Sequence, residues 1–401
     1  MTLPVTPYSG DQFGFYTVGQ HFKTYSKLLA IEEMRRTGRH LKWNFNKQNY
    51  SKHDWTKEPK ESLESLYRRR AQQIRDNYDY VVIWYSGGPD SWCVLDTFVK
   101  NHIKIDEIAS FHAYEGDKNR RSVINEEIFC TAFPKAQEII SKNPGIRHRM
   151  VDISDIIVKV FDRPDYKFDF SYDIKSVASA NYIARQFIRD YVEDYKNMIA
   201  SGKRVCFVYG SEKPRITTIN HQYHVAFIDA FADTGIRIQK KAHEGYFDEW
   251  FFWSPDTADI IAKQCHILLK VLNLEPVTSP WMTDRPHGPH NPKHKITGKF
   301  IRNDIYHTLI YPGWDPATLV AMKPQNLLIA ERDDWFWGQT DMNWNRPLYS
   351  NNSIVQNAWG GVATAFRRFG DDWLHDPLDW SKGLKGCINT YALEKNCQVD
   401  H

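Results

Sequence analysis

The six cysteines of this 401-residue chain include no Cys-x-x-Cys pair, which excludes a disulfide scaffold and a Cys-pair zinc ribbon. Long apolar runs are missing too. A membrane helix needs ~18 residues, and the greasiest strip, Tyr80 to Tyr85, is only strand-sized, so no membrane partner is expected. The opening MTLPVTPYSGDQF has neither a basic n-region nor an apolar h-region, so no secretory leader is expected and a reducing cytoplasm is. With 21 Gly and 19 Pro the chain is too poor in both for a collagen-like or low-complexity protein. Charge of one sign is scarce as well: 52 Lys and Arg against 49 Asp and Glu leave +3, too weak a field to imply nucleic acid by itself.

Three zones follow from the patterning. Residues 1–78 read as a small α+β extension. A strand is expected from Phe13 to Val18, a helix from Ser26 to Thr37 closed by Gly38, and an alternating strand through Leu41, Trp43 and Phe45. A charged helix over Glu61–Asp76 places Leu63, Leu66, Tyr67, Ala71 and Ile74 on one face, with Arg68, Arg69 and Arg70 read as solvated. Residues 79–272 alternate strand and helix, the signature of an α/β domain with a parallel sheet. Strands are expected at 80–85, 105–111, 146–151 and 204–209. Helices are expected at 91–100, 125–142 (broken near Pro134), 177–200 and 255–272, the last with Pro255 in its first turn. Residues 273–401, rich in Trp, Pro and His, are expected to be short helices and loops packed on the sheet domain.

The chemistry concentrates at Ser86-Gly87-Gly88-Pro89-Asp90-Ser91, between the strand VVIWY and the helix WCVLDTFVK. A strand–loop–helix joint aims several backbone N–H groups at one point, and the helix start adds roughly half a positive charge. Gly87 and Gly88 allow close approach of a polyphosphate, Ser86 and Ser91 offer hydroxyls, and Pro89 suits a first helical turn. Asp90 would repel phosphate directly, so it makes sense as a ligand of Mg²⁺ bridging to phosphate oxygens. No Gly-Lys-[Ser/Thr] follows, so this is not a Walker loop. A second patch, Tyr209-Gly210-Ser211-Glu212-Lys213-Pro214-Arg215, follows the strand VCFVY, with Lys213 and Arg215 placed to neutralise and clamp phosphate oxygens.

Ser86–Ser91 resembles the SGGxDS signature of the PP-loop ATP pyrophosphatases, the adenine-nucleotide α-hydrolase superfamily. With Trp55–Asp79, YGSEKPR and Phe251–His266, the pattern over residues of about 15 to 330 resembles a PP-loop family found largely in tailed bacteriophages, labelled PAPS reductase-like or asparagine-synthase-like. The resemblance implies a flavodoxin-like parallel sheet with helices on both faces. It also implies Mg²⁺-dependent cleavage of ATP to AMP and pyrophosphate, adenine seated near Phe111 and His112, and Gly210, Lys213 and Arg215 on the phosphates. The AMP would activate an acceptor carboxylate or carbonyl, on a small molecule or a nucleobase, for attack by an amine or thiol. If phage-encoded, the protein would work in the host cytoplasm.

Departures prune the family's reactions. The Glu-Cys-Gly-hydrophobic-His motif of true PAPS reductases is not matched at Cys387 or Cys397. Position 2 is Thr2, and the roughly 85 residues before the loop are too few for the glutaminase domain of an asparagine synthetase. Cys93, Cys130, Cys206 and Cys265 read as small core residues. A PAPS reductase-like oxidoreductase and a non-catalytic nucleotide-binding module in a nucleic-acid complex stay as alternatives. His287, His290 and His294 sit in a Pro-rich loop read as solvated, Trp314, Trp335, Trp337, Trp344 and Trp373 as aromatic packing. Asp256 and Asp259 read as first-turn acids, with Lys263 and His266 as candidates to face the crevice. The phosphate reading sets two conditions: Gly87 and Gly88 must not be buried, and Asp90 must face a cavity.

Overall fold

The structure, a computed structural model, describes residues 11, 14–25, 27–112, 128–152, 191–210, 214–219, 222–228, 245–273, 303–315 and 388–394. Phe15–Val18 (β1), Phe22–Thr24 (β2) and Leu41–Asn44 (β3) make an antiparallel sheet in the order β2-β1-β3. Between the last two runs α1 (Lys27–Thr37), which ends at Gly38 with a φ of +65°, as a left-handed closing residue does. In β3 Leu41 and Trp43 are buried and Lys42 exposed, the expected alternation. A short α2 (Lys47–Tyr50) and then α3 (Leu63–Asn77) follow.

Among the described residues the main sheet has five strands, all paired in parallel: β4 (Tyr80–Trp84), β5 (Glu107–His112), β6 (Arg147–Asp152), β7 (Val205–Tyr209) and, beyond a hairpin, β10 (Tyr246–Trp250). Val81 to Trp84 and all of β7 are buried, as strands covered on both faces must be. From one edge to the other the order is β10-β7-β4-β5-β6. Counted by succession within the sheet this is 3-2-1-4-5, whereas a flavodoxin-like sheet runs 2-1-3-4-5. The α/β class stands and the flavodoxin-like arrangement is corrected. The order reverses between β4 and β7, which pair from Tyr80↔Val205 to Ile83↔Val208.

Helices α4 (Pro89–Lys100), α5 (Phe133–Lys142) and α6 (Glu193–Ala200) pack on β4, β6 and β7 respectively. The expected break near Pro134 is a change of helix type: a π-helical turn, Ile128–Ala132, runs directly into α5, with Pro134 in its first turn. The hairpin β8 (Arg215–Ile219) and β9 (Gln222–Ile228), unforeseen in the sequence, is joined by β11 (Ile388–Ala392) into a second antiparallel sheet. α7 (Ala258–Leu272) starts later than expected: Thr257 caps it, and Pro255 lies ahead of the first turn. α8 (Asn303–Ile310) packs on α7. No described helix is long and apolar enough to cross a membrane.

α3 buries the face its spacing predicts and packs on α4 and α7, so it travels with the sheet rather than with the strands before it. Arg70 corrects the solvated-face reading. It is 4% exposed, and its guanidinium donates to Glu249 Oε2 at 2.7 Å and to the Trp250 carbonyl at 3.0 Å. The Tyr78 hydroxyl donates to the other Glu249 oxygen at 2.6 Å. Arg68 and Arg69 are exposed as expected. Cys93, Cys206 and Cys265 are core residues, but Cys130 is exposed. The His287–His294 loop, Trp335–Trp373, Cys387 and Cys397 lie outside the described residues.

Candidate functional site

The end of β4 is pinned before the loop begins. Tyr85 N–H donates to the Ala109 carbonyl at 2.8 Å, and the Ser110 hydroxyl donates to the Tyr85 carbonyl at 2.7 Å. The chain then turns through Gly87 at φ +83°, a conformation L side chains rarely adopt. Gly88, extended at φ −77° and ψ 162°, is the N-cap of α4, and its carbonyl accepts the first helical bond from Trp92 N–H at 2.9 Å. Pro89 stands in the first turn, where its missing N–H costs nothing.

Ser86 and Ser91 are used inside the loop. Ser86 N–H donates to Ser91 Oγ at 3.2 Å, the two hydroxyls lie 3.3 Å apart, and Ser91 Oγ donates to the Gly88 carbonyl at 3.0 Å. Ser91 is 6% exposed. These hydroxyls brace the joint, where the sequence reading has them as phosphate donors.

Gly87 and Gly88 are both buried, and the first condition of the phosphate reading is therefore not met. The cover on Gly87 is the π-helical turn: a Cβ built there would stand 3.1 Å from Ala132 N and 3.2 Å from Thr131 Cβ. Asp90 is on the first turn of α4 with its side chain 31% exposed. The Tyr311 hydroxyl donates to Asp90 Oδ1, and His307 Nε2 lies 4.0 Å from the same oxygen. Burial first, and then the negative charge of Asp90, push the Tyr311 phenol well above its ordinary 10.0.

The second patch meets the first. A Cβ on Gly210 would lie 2.6 Å from the carbonyl carbon and oxygen of Asp90 and 2.8 Å from Ser91 N. Glycine is required because the backbone leaving β7 crosses the first turn of α4. Arg215 opens β8, half-buried and in register with Ala226. Lys213 lies outside the described residues. Phe111 and His112 end β5 on the same side as the loop. The Phe111 ring is stacked on Trp84, centroids 4.1 Å apart, and His112 sits 3.9 Å from Asp152 and 5.8 Å from the Phe129 ring.

Lys263 and His266 do not face this joint. Lys263 Nζ bonds Glu58 at 2.7 Å and the Pro59 carbonyl at 3.0 Å, and a His266 ring nitrogen lies 3.0 Å from the Trp55 carbonyl. Asp259 stands in the first turn of α7 as expected and also meets Arg69 at 3.2 Å, whereas Asp256 precedes the cap and accepts from Gln73 at 3.0 Å. Thr131, Ala132, His307 and Tyr311 are the neighbours that sequence reasoning missed. No motif marks Tyr311, which lies 221 residues from Asp90 along the chain. No protein-family model matches this chain, and no curated protein does.

Proposed function

We propose that the β4–α4 joint binds the polyphosphate of ATP with Mg²⁺ at Asp90. The protein then cleaves ATP to AMP and pyrophosphate and adenylates an acceptor carboxylate or carbonyl for transfer to an amine or thiol. The observation that carries this reading is convergence. Two loops chosen from sequence for phosphate chemistry, about 120 residues apart, leave adjacent strands where the sheet order reverses, with Gly210 against the backbone of Asp90 and Ser91. Open α/β sheets take their ligands at that switch point, outside the carboxyl ends of the strands. The positive end of α4 is there to meet an anion.

Mg²⁺ is commonly held by one or two carboxylates and completes its shell with phosphate oxygens and water. That suits a joint offering Asp90, and among the described residues no group of three or more His, Cys, Asp or Glu forms a metal cage of its own. Such an ion, when bound, neutralises charge on the phosphates. In-line displacement at phosphorus needs alignment more than a strong base, and Lys213 and Arg215 are the cations assigned to the departing pyrophosphate. Gly87 and Gly88 are both buried, so the condition set on them can be met only in a nucleotide-bound state in which Thr131 and Ala132 withdraw. They belong to a π-helical turn, a form that recurs at functional sites.

The test is incubation with ATP labelled at the α-phosphate, Mg²⁺ and a host lysate. AMP and pyrophosphate are expected, and ADP would refute the position of cleavage.

The burial of both glycines favours a second reading, in which the joint is a packing turn that caps α4 and binds no nucleotide. Calorimetry with Mg²⁺ and ATP separates the two. Saturable heat, with altered hydrogen exchange at residues 128–132, supports the first; absence of both supports the second.

A further inference from the structure

We infer that Tyr311 is the positioning residue for Asp90, setting the direction in which that carboxylate is presented to a divalent cation. The inference rests on the reading of the joint as a cation and phosphate site. A ligating carboxylate that swings freely loses affinity, and carboxylates at metal sites are typically held by a hydrogen bond from behind. The phenol of Tyr311 makes that bond, to Asp90 Oδ1. A donor engages only part of the acceptor capacity of a carboxylate, which has about four lone-pair sites.

The phenol is itself held on every side. Tyr311 is fully buried, its ring stacked on Phe252 at 5.4 Å and on His307 at 5.6 Å, with planes within 23° and 10°. Its N–H donates to the His307 carbonyl at 3.0 Å, continuing α8 by one residue. The preceding carbonyl, of Ile310, accepts from the Tyr67 hydroxyl at 2.7 Å, and Tyr67 in turn accepts from Gln264 at 2.8 Å. Helices α3, α7 and α8 thus fix one hydroxyl, and that hydroxyl fixes the one acidic side chain of the loop. Packing alone would be served as well by phenylalanine, which makes the hydroxyl the informative atom.

The experiment is a Mn²⁺ titration of the full chain by electron paramagnetic resonance, with α,β-methylene ATP present so that no turnover is needed. Wild type, Tyr311→Phe and Tyr50→Phe are compared, each checked by circular dichroism. Tyr311→Phe should weaken Mn²⁺ binding by roughly 10–100-fold, and Tyr50→Phe, which removes a buried hydroxyl that donates to the Ser254 carbonyl and has no part in holding Tyr311, should leave it unchanged. Asp90→Glu keeps the charge but moves the carboxylate by one methylene. It should weaken Mn²⁺ binding to a similar degree, which gives an answer even if the Phe variant does not fold. Wild-type affinity in Tyr311→Phe or Asp90→Glu, tighter binding in either, or an equal loss in Tyr50→Phe overturns the inference alone. No Mn²⁺ binding by the wild type with nucleotide present overturns the site reading and the inference with it.

Discussion

Gly210 and Gly87 are required for different reasons, and substitution separates them. At Gly210 the obstacle is another stretch of backbone, so alanine forces β7 and α4 apart. Gly210→Ala should cost about 1–3 kcal/mol, read as a lower urea midpoint, and an unchanged midpoint would mean that the strand end relaxes freely. At Gly87 the obstacle is mainly conformational. An L residue held at positive φ there costs about 1–3 kcal/mol. Asp90→Ala should abolish turnover while circular dichroism stays that of the wild type; undiminished AMP formation would end the metal role assigned to it. A separate carboxyl governs acid stability. Burial alone would raise the pKa of Asp106, but the Val81 N–H at 2.8 Å, Lys104 at 2.9 Å and Arg75 at 2.5 Å outweigh it and hold the group below its ordinary 3.8. A carboxyl lowered in the folded state contributes stability that is complete above the unfolded value and is lost as pH falls through the folded one. Stability should therefore decline below pH 3.8, and Asp106→Asn should flatten that part of the urea-midpoint profile.

Whole elements differ in how openly the sequence declares them. β4 and β7 are unbroken apolar runs, and α3 shows its buried stripe, so all three are legible. β10 is not, because Asp248 and Glu249 sit in the middle of YFDEW and read as surface although every residue of the strand is buried. Glu249 is answered across the fold by Arg70 and Tyr78, a pairing no local pattern contains. The loop Ser86–Ser91 was legible as a strand–helix joint with a left-handed glycine. Its cover, the turn at 128–132, was not, since a π-helical turn has no spacing of its own to announce it. The buried pair makes a prediction at this scale. Arg70→Met leaves the Glu249 carboxylate without its guanidinium and should cost about 3–5 kcal/mol. Adding Glu249→Leu should restore most of the loss, by urea midpoint; no recovery would place the cost in packing.

At the level of the molecule, distant segments are knitted into one aromatic core. Tyr391 of β11 stacks on Trp55 at 5.2 Å, Trp55 meets Phe227 of β9 at 5.7 Å, and the Asn389 side chain donates to the Trp43 carbonyl of β3 at 3.1 Å. Deleting residues 388–401 should uncover this core, with increased binding of a hydrophobic dye and an earlier melting transition. A truncated chain that melts with the full one would show β11 to be dispensable. The order of arrival on the ribosome then matters. β9 pairs along one side with β11, which emerges about 160 residues later, or roughly 8–30 s at ordinary synthesis rates. For that interval the nascent chain carries an unsatisfied strand edge beside exposed aromatics, the kind of template that recruits neighbours into aggregates, so slower induction or a holding chaperone should raise the yield of soluble protein.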